Sequence, residues 1–137
     1  MSLAVLSRGT LLKRKISGVF TTIPEAGDVS FPGSTREEID VTTQDSPGQT
    51  KEFLGGDIDF GEIAQDMNFV PTNAVHAVLV ADSLSASVVQ EWQISYAAGT
   101  KTCSFSGYVK GYAITGPVNG VYKATLTIRC TGLPVYA

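Results

Sequence analysis

The end of the chain carries its clearest pattern of hydrophobic and polar positions. From residue 122 to residue 131 the two kinds of side chain alternate strictly, and the apolar set is Tyr122, Ala124, Leu126, Ile128 and Cys130. A period of two predicts a β-strand with one buried face. The segment from Thr102 to Thr115 also alternates, with Cys103, Phe105, Val109 and Ala113 on one side. Because turn residues 116–120 separate the two segments, the pattern predicts a β-hairpin.

Two registers of this hairpin are possible, because the turn can centre on Val118-Asn119 or on Asn119-Gly120. In both registers odd-numbered residues of the first strand pair with even-numbered residues of the second, so the two apolar faces coincide. The opposite, outward face then carries Tyr108, Lys110 and Tyr112 of the first strand and Thr125, Thr127 and Arg129 of the second.

Shorter patterns predict four more strands and one helix. The strands are expected at Lys15 to Ile23, Thr35 to Thr43, Asp57 to Phe69 and Val88 to Tyr96. The third of these loses its alternation once, which predicts a bulge near Gly61-Glu62. Thr72 or Asn73 is expected to cap a helix of about ten residues. The whole chain, 1–137, is expected to form a single domain, a mainly β fold of the β-sandwich or open-barrel type with one flanking helix.

A long loop is predicted from Gln44 to Gly56. It opens at the breaker cluster Asp45-Ser46-Pro47-Gly48 and ends at two glycines. Irregular loops of about a dozen residues within a compact domain are usually functional or disordered. Because this loop carries the apolar pair Phe53-Leu54, we expect a partner to bury those two side chains.

Charge is distributed unevenly along the chain, although the net charge is only −3. Residues 1–24 carry four basic and no acidic residues, residues 25–66 carry eleven acidic and two basic ones, and residues 101–137 carry four basic and no acidic ones. Two interpretations stay open. An acidic middle between basic ends, including the N-terminal segment 1–15, would favour head-to-tail self-association. Alternatively, these charges lie on unrelated solvated loops.

The strand predicted from Asp57 to Phe69 has an unusually acidic polar side. Once the bulge restores the alternation, that side carries Asp57, Asp59, Glu62, Asp66 and Asn68. Two carboxylates facing each other across a cleft could hydrolyse a glycoside, but nothing in the sequence places them so. A solvated face is the simpler interpretation.

No recognisable catalytic or metal-binding set occurs in the sequence. The single imidazole, His76, lies among apolar positions of the predicted helix, which indicates a core residue. Cys103 and Cys130 share the buried face of the hairpin but are offset by about 13 Å or more. That offset is too long for a disulfide, and the pair lacks zinc-ligand spacing, so free buried thiols are expected. We expect no enzymatic activity and no cofactor.

Targeting and nucleic-acid signals are also missing from the sequence. The start of the chain lacks the long apolar segment of a secretion signal, and the apolar run from Ala74 to Ala81 is far shorter than a membrane helix. A pI near 5.0 gives no basic signature of a duplex-DNA reader. The protein is expected to be made in the cytoplasm and to stay soluble.

Aromatic residues allow one other binding function. Tyr108 and Tyr112 would project from the polar face of the hairpin, where they could stack on sugar rings or fill an interface. With Trp92 they could form a carbohydrate-binding surface on a β-sandwich. An interface between subunits is the preferred interpretation.

Four segments of the chain resemble the tail tube proteins of long-tailed bacteriophages. They are Ile39-Asp40-Val41-Thr42-Thr43-Gln44-Asp45-Ser46, Lys51-Glu52-Phe53-Leu54-Gly55-Gly56, Phe105-Ser106-Gly107-Tyr108-Val109-Lys110-Gly111-Tyr112 and Ile114-Thr115-Gly116-Pro117-Val118-Asn119-Gly120-Val121. The resemblance covers about Thr35 to Gly132 and is specific in order and spacing. The resemblance says less about the structure and role of the basic N-terminal segment.

This resemblance implies a structural virion protein without an active site. Six copies would close into a ring, and rings would stack into a hollow helical tube through which DNA passes during ejection. The partners it implies are further copies of the chain and the tail terminator, tape measure and tail tip proteins. DNA would pass without sequence-specific binding, and no membrane would be involved. A tube protein of a contractile or secretion apparatus shares the same architecture and stays an alternative.

Two sets of residues receive roles from the resemblance. Acidic residues are expected to face the lumen and keep DNA from sticking, because each basic contact to phosphate adds binding; they are Glu38, Asp40, Asp57, Asp59, Glu62 and Asp66. Contacts between subunits or rings are expected at Asp45, Lys51, Phe53, Leu54, Tyr108 and Tyr112.

Overall fold

A computed structural model describes residues 3–85, 88–97 and 100–137 and confirms a mainly β fold with one flanking α-helix. Met1 and Ser2 of the basic N-terminal segment lie outside the described residues. The elements within them are β1 (Leu11–Ile16), β2 (Val19–Thr22), β3 (Thr35–Asp40), β4 (Phe53–Asp59), β5 (Glu62–Asn68), α1 (Ala74–Leu84), β6 (Gln90–Ser95), β7 (Thr102–Thr115) and β8 (Lys123–Tyr136).

The strands form two antiparallel sheets. Six strands pair in the order β2-β1-β6-β7-β8-β5, and β3 pairs only with β4 in a separate two-stranded sheet, called the ribbon below. A short 3-10 turn, Pro47–Gln49, lies in the loop at the tip of the ribbon.

One face of the six-stranded sheet is buried. Helix α1 and the segment after β2 pack on this inner face, and Leu79 and Ile23 join the core from them. Arg14 of β1 ties the helix to the sheet, because its guanidinium donates to both carboxylate oxygens of Asp82 at 2.5 and 2.8 Å. The strand residues of the core are Leu12, Ile63, Met67, Trp92, Ile94, Cys103, Phe105, Val109, Ala124, Leu126, Ile128 and Cys130.

Helix α1 begins where the sequence predicts. The Asn73 side chain accepts hydrogen bonds from the backbone N–H groups of Val75 and His76, as an N-cap does. His76 is fully buried and is a core residue, as expected. Its Nδ1 accepts from the Val70 N–H at 3.0 Å and its Nε2 donates to the Pro24 carbonyl at 2.9 Å. The ring therefore carries its proton on Nε2 and holds two loops against the helix.

The two long strands pair as predicted over half of their length. Val109 lies opposite Ile128 and Gly107 opposite Cys130, which places odd residues of β7 against even residues of β8. A register shift at Lys110 then changes the parity, so Tyr112 lies opposite Leu126. The centre of the hairpin has the register predicted for a turn at Val118-Asn119, and those two residues form a turn. The connection is longer than the two residues predicted, because β7 ends at Thr115 and β8 begins at Lys123.

The strand predicted from Lys15 to Ile23 is instead a hairpin. β1 and β2 pair across the two residues Ser17 and Gly18, whose φ angles are 51° and 82°. Two positive φ values are the geometry of the tight turn that matches the twist of a hairpin. The prediction failed because Ser17 is not a usual residue for this conformation.

The acidic strand and the long loop also differ from the prediction. Gly61, with φ 65°, does not lie in a bulge within one strand but separates β4 of the ribbon from β5 of the large sheet. Residues 53–56, assigned to the loop, belong to β4. The irregular part of the loop is therefore shorter, and its two apolar residues lie on a strand.

The two cysteines are free and buried, as predicted. Cys103 lies opposite Tyr136, whereas Cys130 lies opposite Gly107, four positions further along β7. Burial raises the pKa of both thiols, which makes them poor nucleophiles at neutral pH.

Gly107 lies where β6, β7 and β8 pack most closely. A Cβ at this position would come within 2.6 Å of the Arg129 carbonyl oxygen and 2.8 Å of Ile128. Its own carbonyl accepts a hydrogen bond from the indole N–H of the fully buried Trp92 at 3.1 Å. A side chain at residue 107 would therefore push apart the centre of the sheet.

We expect Gly107→Ala to lower the free energy of unfolding by about 1–3 kcal/mol through overpacking. Gly111→Ala is the matched control, since a Cβ at Gly111, on the same strand, would have no heavy atom of the described residues within 4 Å. Its effect should stay within about 0.5 kcal/mol. Urea unfolding followed by tryptophan fluorescence measures both, and equal losses in the two variants would contradict this account of the packing.

Candidate assembly surfaces

The ribbon exposes apolar side chains on both of its faces. Phe53 lies opposite Asp40 on one face, and Leu54 lies opposite Ile39 on the other. Phe53 is 49% exposed, Leu54 58% and Ile39 43%. A two-stranded sheet with both faces uncovered is marginal in water. These side chains are therefore available to be covered by another protein surface.

Local hydrogen bonds shape the loop at the tip of the ribbon. Asp40 accepts from the Thr42 N–H at 2.9 Å, and the Ser46 hydroxyl accepts from Thr43 N–H and donates to Glu52. Hydrogen bonds from Thr42 lower the pKa of the Asp40 carboxyl. Asp45 and Lys51, predicted contact residues, make no side-chain hydrogen bond or ion pair within the described part of the chain.

The six acidic residues predicted to form one lumen-facing set lie in two places. Glu62 and Asp66 lie on the outer face of β5, and Asp59 at the end of β4 reaches that face through an ion pair with Arg129 at 3.0 Å. The others, Glu38, Asp40 and Asp57, belong to the ribbon. The prediction of one acidic stripe along one strand is wrong, because Gly61 separates two strands of different sheets.

The uncovered face of the six-stranded sheet, called the open face below, is polar and mixed in charge. The strand positions that point away from the core carry five basic and three acidic residues. They are Lys13, Lys15, Lys110, Lys123, Arg129, Glu62, Asp66 and Glu91. Rows of Ser and Thr from β7 and β8 lie between them.

Most cations of the open face have a partner on the protein itself. Lys110 pairs with Glu62, Lys15 with Glu91 at 2.6 Å, and Lys123 donates to Asn68 at 3.0 Å. The Gly61 N–H first and then the Arg129 guanidinium hold the pKa of Asp59 below its usual value. Carboxylates therefore neutralise three of the five cations, Lys15, Lys110 and Arg129, whereas Lys123 is bonded to a neutral amide.

Tyr108 and Tyr112 do not share a face, because the shift at Lys110 lies between them. Tyr108 lies on the open face opposite Arg129. Tyr112 packs edge-to-face on Phe69, and its hydroxyl lies 3.4 Å from the Met67 sulfur. Since Trp92 is fully buried, the three aromatics do not form a common sugar-binding surface. The alternation in the sequence did not reveal the shift, so the outward position predicted for Tyr112 is wrong.

A groove of about 670 Å³, called the end groove below, lies where β6 ends and β7 begins. Phe31 and Tyr96 stack in it with ring centroids 5.2 Å apart, and the Tyr136 hydroxyl lies 3.5 Å from the Pro32 carbonyl oxygen. Val5 and Leu6 complete the apolar lining. No local pattern in the sequence predicts this groove, because its residues come from four distant segments.

The charged side chains at the end groove are two cations and one acid. Lys101 lines the groove itself, whereas Arg8 and Asp28 both line an adjoining cavity that shares Phe31 with it. Neither cation forms an ion pair within the described residues, and no acidic side chain among them lines the groove.

Groups suited to metal binding do not come together in the described ranges. Three or more His, Cys, Asp or Glu side chains nowhere converge there as metal ligands would. Helix α1 has 11 residues. Within the described ranges, no helix is long and apolar enough to cross a membrane.

Solved structures with the same fold include several tail assemblies. A chain in the tail of an empty gene transfer agent particle, determined with C6 symmetry, is 21% identical with a TM-score of 0.77, covering 98% of this chain and 99% of that chain. The SPP1 tail tube chain is 10% identical with a TM-score of 0.73, covering 97% and 78%.

A contractile machine also contains this fold. A chain from the sheath/tube terminator structure of an extracellular contractile injection system is 12% identical with a TM-score of 0.74, covering 99% of this chain and 98% of that chain. At these identities the likeness shows the fold alone. Comparison with the sequences of curated proteins gave no match.

A family model assigns the sequence directly. The family described as "Lambda phage tail tube protein, TTP" matches residues 6–137, which is nearly the whole chain. The match includes the ribbon, the open face and all of the end groove except Val5. The chain therefore belongs to the lambda phage tail tube protein family.

Proposed function

We propose that six copies of this structural tail protein close into a ring, and that rings stack into a hollow tube through which DNA passes during ejection. The ribbon carries this proposal, because its apolar side chains are exposed on both faces of a sheet too small to be stable alone. The C6 symmetry of a tail with the same fold supports the number of copies.

The edges of the large sheet support ring closure. β2 and β5 are its two edge strands, and an unpaired edge is a template for another strand. Residues 25–27 cover part of the β5 edge, where Gly27 N–H donates to the Asp66 carbonyl. Pairing of neighbouring copies would join six sheets into one closed barrel, in which no edge is left open.

We assign the lumen to the open face. It is the one face of the large sheet that no element covers in the described part of the chain, and its cations are held by Glu62, Asp59 and Glu91. DNA would slide past it without sequence-specific binding, because few basic groups are free to contact phosphate. Asp66 adds negative charge to this face, whereas Glu38, Asp40 and Asp57 of the ribbon would contact neighbouring copies.

Contacts between copies are assigned to the ribbon and its loop. Phe53 and Leu54 are the apolar anchors, and Asp45 and Lys51 provide exposed charges beside them. Tyr108, on the open face, is a contact only if neighbouring sheets meet there. The ends of the completed tube would be bound by tail terminator and tail tip proteins, and the lumen would hold the tape measure protein during assembly.

A tube of a contractile apparatus is the second candidate. The contractile injection chain with the same fold and a TM-score of 0.74 favours it. The family match to the lambda tail tube favours a tail without a sheath. Only a chain that binds a sheath protein along the outside of the tube would support the contractile candidate.

We expect the double variant Phe53→Ser and Leu54→Ser to remain a folded monomer that does not polymerise, because both apolar anchors are lost. Leu84→Ser is the control, since Leu84 is an exposed apolar residue at the end of α1, outside the ribbon. Sedimentation and negative-stain microscopy measure assembly, and circular dichroism measures folding. Tubes of normal length from the double variant would refute the assignment of these anchors.

We expect Glu62→Lys to slow DNA ejection from assembled virions by about tenfold at low salt, with the difference shrinking as salt rises. The substitution removes the partner of Lys110 and adds a second cation to the open face. The double variant Ala77→Lys and Ala81→Lys gives the same change of charge on the exposed side of α1 and should leave ejection unchanged. Tube length should be normal in both. Unchanged ejection kinetics with Glu62→Lys would show that this face does not line the lumen.

A further inference from the structure

One face of the ribbon combines an aromatic ring with two carboxylates. Phe53 lies directly opposite Asp40, and Glu38 lies two residues away on the same side, opposite Gly55. Arg36 also lies over Gly55, but its guanidinium donates to the Gly56 carbonyl at 2.8 Å. The tip of this face therefore combines the aromatic ring with the two carboxylates, and one cation, Arg36, lies further along it.

The end groove has the complementary composition. Its floor is formed by Phe31, Tyr96 and Tyr136, and its rim carries Lys101, with Arg8 and Asp28 in the adjoining cavity. Lys101 and Arg8 form no ion pair with any described residue, so the two cations outnumber the one acid. Aromatic side chains pack favourably on one another in offset or edge-to-face geometry. A partner that offers one aromatic ring between carboxylates would satisfy both the floor and the rim.

Net charge makes the ribbon a better partner for the end groove than for another ribbon. Residues 35–59 contain seven acidic and two basic residues, a net charge of −5. Two ribbons would therefore repel each other, whereas the basic rim attracts a ribbon. An interface between two different surfaces of identical chains is heterologous, and it continues from copy to copy until it closes a ring or extends as a filament.

We propose that the end groove of one copy binds the ribbon of another copy, with Phe53 in the groove and the carboxylates of Glu38 and Asp40 beside Lys101 and Arg8. This inference rests on the proposed assembly and names the two surfaces that meet in it. It also gives the basic N-terminal segment a role, since that segment forms one wall of the groove. The opposite face of the ribbon, with Leu54, stays available for a different contact.

A charge exchange tests this pairing. Glu38→Lys and Lys101→Glu, each alone, should raise the protein concentration needed for tube assembly about tenfold, because each places like charges together. The two substitutions combined in one chain should restore most of the assembly. Glu37→Lys is the matched control, since Glu37 is the next residue on the strand but lies on the opposite face, beside Gly56 and Ile39.

Light scattering over a concentration series measures assembly, and urea unfolding checks that each variant is folded. Rescue of Glu38→Lys but not of Glu37→Lys by Lys101→Glu is the expected result. If Lys101→Glu rescues Glu38→Lys and Glu37→Lys to the same extent, the effect is one of net charge and not of a specific contact. If it rescues neither variant, the contact does not exist. Either result overturns the inference but leaves the proposed tube intact. If the wild-type chain forms no assemblies, the proposed function and this inference both fail.

Discussion

The pairing of β7 with β8 is the constraint on which the rest of the structure depends. These two strands have 14 residues each, and every other strand of the large sheet is added to one side of them or the other. β6, β1 and β2 extend the sheet from β7, and β5 extends it from β8. Gly107 allows the close approach at the centre, where Trp92 of β6 donates to its carbonyl. A disturbance at that point would affect three strands at once, β6, β7 and β8.

The sheet built on this pair has two faces with different requirements. Its inner face is satisfied within the chain, by α1, the core residues and the buried pair between Arg14 and Asp82. Its open face is polar, and three of its five cations form ion pairs with carboxylates at the surface. The ribbon differs from the large sheet, because apolar residues are exposed on both faces of the ribbon. The proposed assembly would cover the ribbon and leave the polar open face toward the channel.

Parts of the fold could be predicted because they depend on local chemistry or on uniform packing. β8 alternates from Ala124 to Cys130 because the same core lies under its whole length, and Asn73 caps α1 through its own neighbours. The shift at Lys110 could not be predicted, because it arises from the fit of β7 on its partner strand. The same holds for the ribbon, since alternation shows that a segment is a strand but not which strand it pairs with.

Of the candidate assembly surfaces, too, some could be predicted from the sequence and others could not. The exposed pair Phe53-Leu54 was recognisable from a hydrophobic dipeptide next to breaker residues. The end groove was not, because Leu6, Phe31, Tyr96 and Tyr136 come together only in the folded chain. For the acidic residues, the sequence showed the unusual charge but not their division between two sheets, because that division depends on which strands β4 and β5 pair with.

Helical reconstruction of the assembled protein by cryo-electron microscopy tests the central claim most directly. The account predicts a hollow tube with sixfold symmetry in which the open face of the large sheet lines the channel and each ribbon is covered by a neighbouring copy. A tube with α1 lining the channel and the open face outside, or an assembly that leaves the ribbon uncovered, would contradict it.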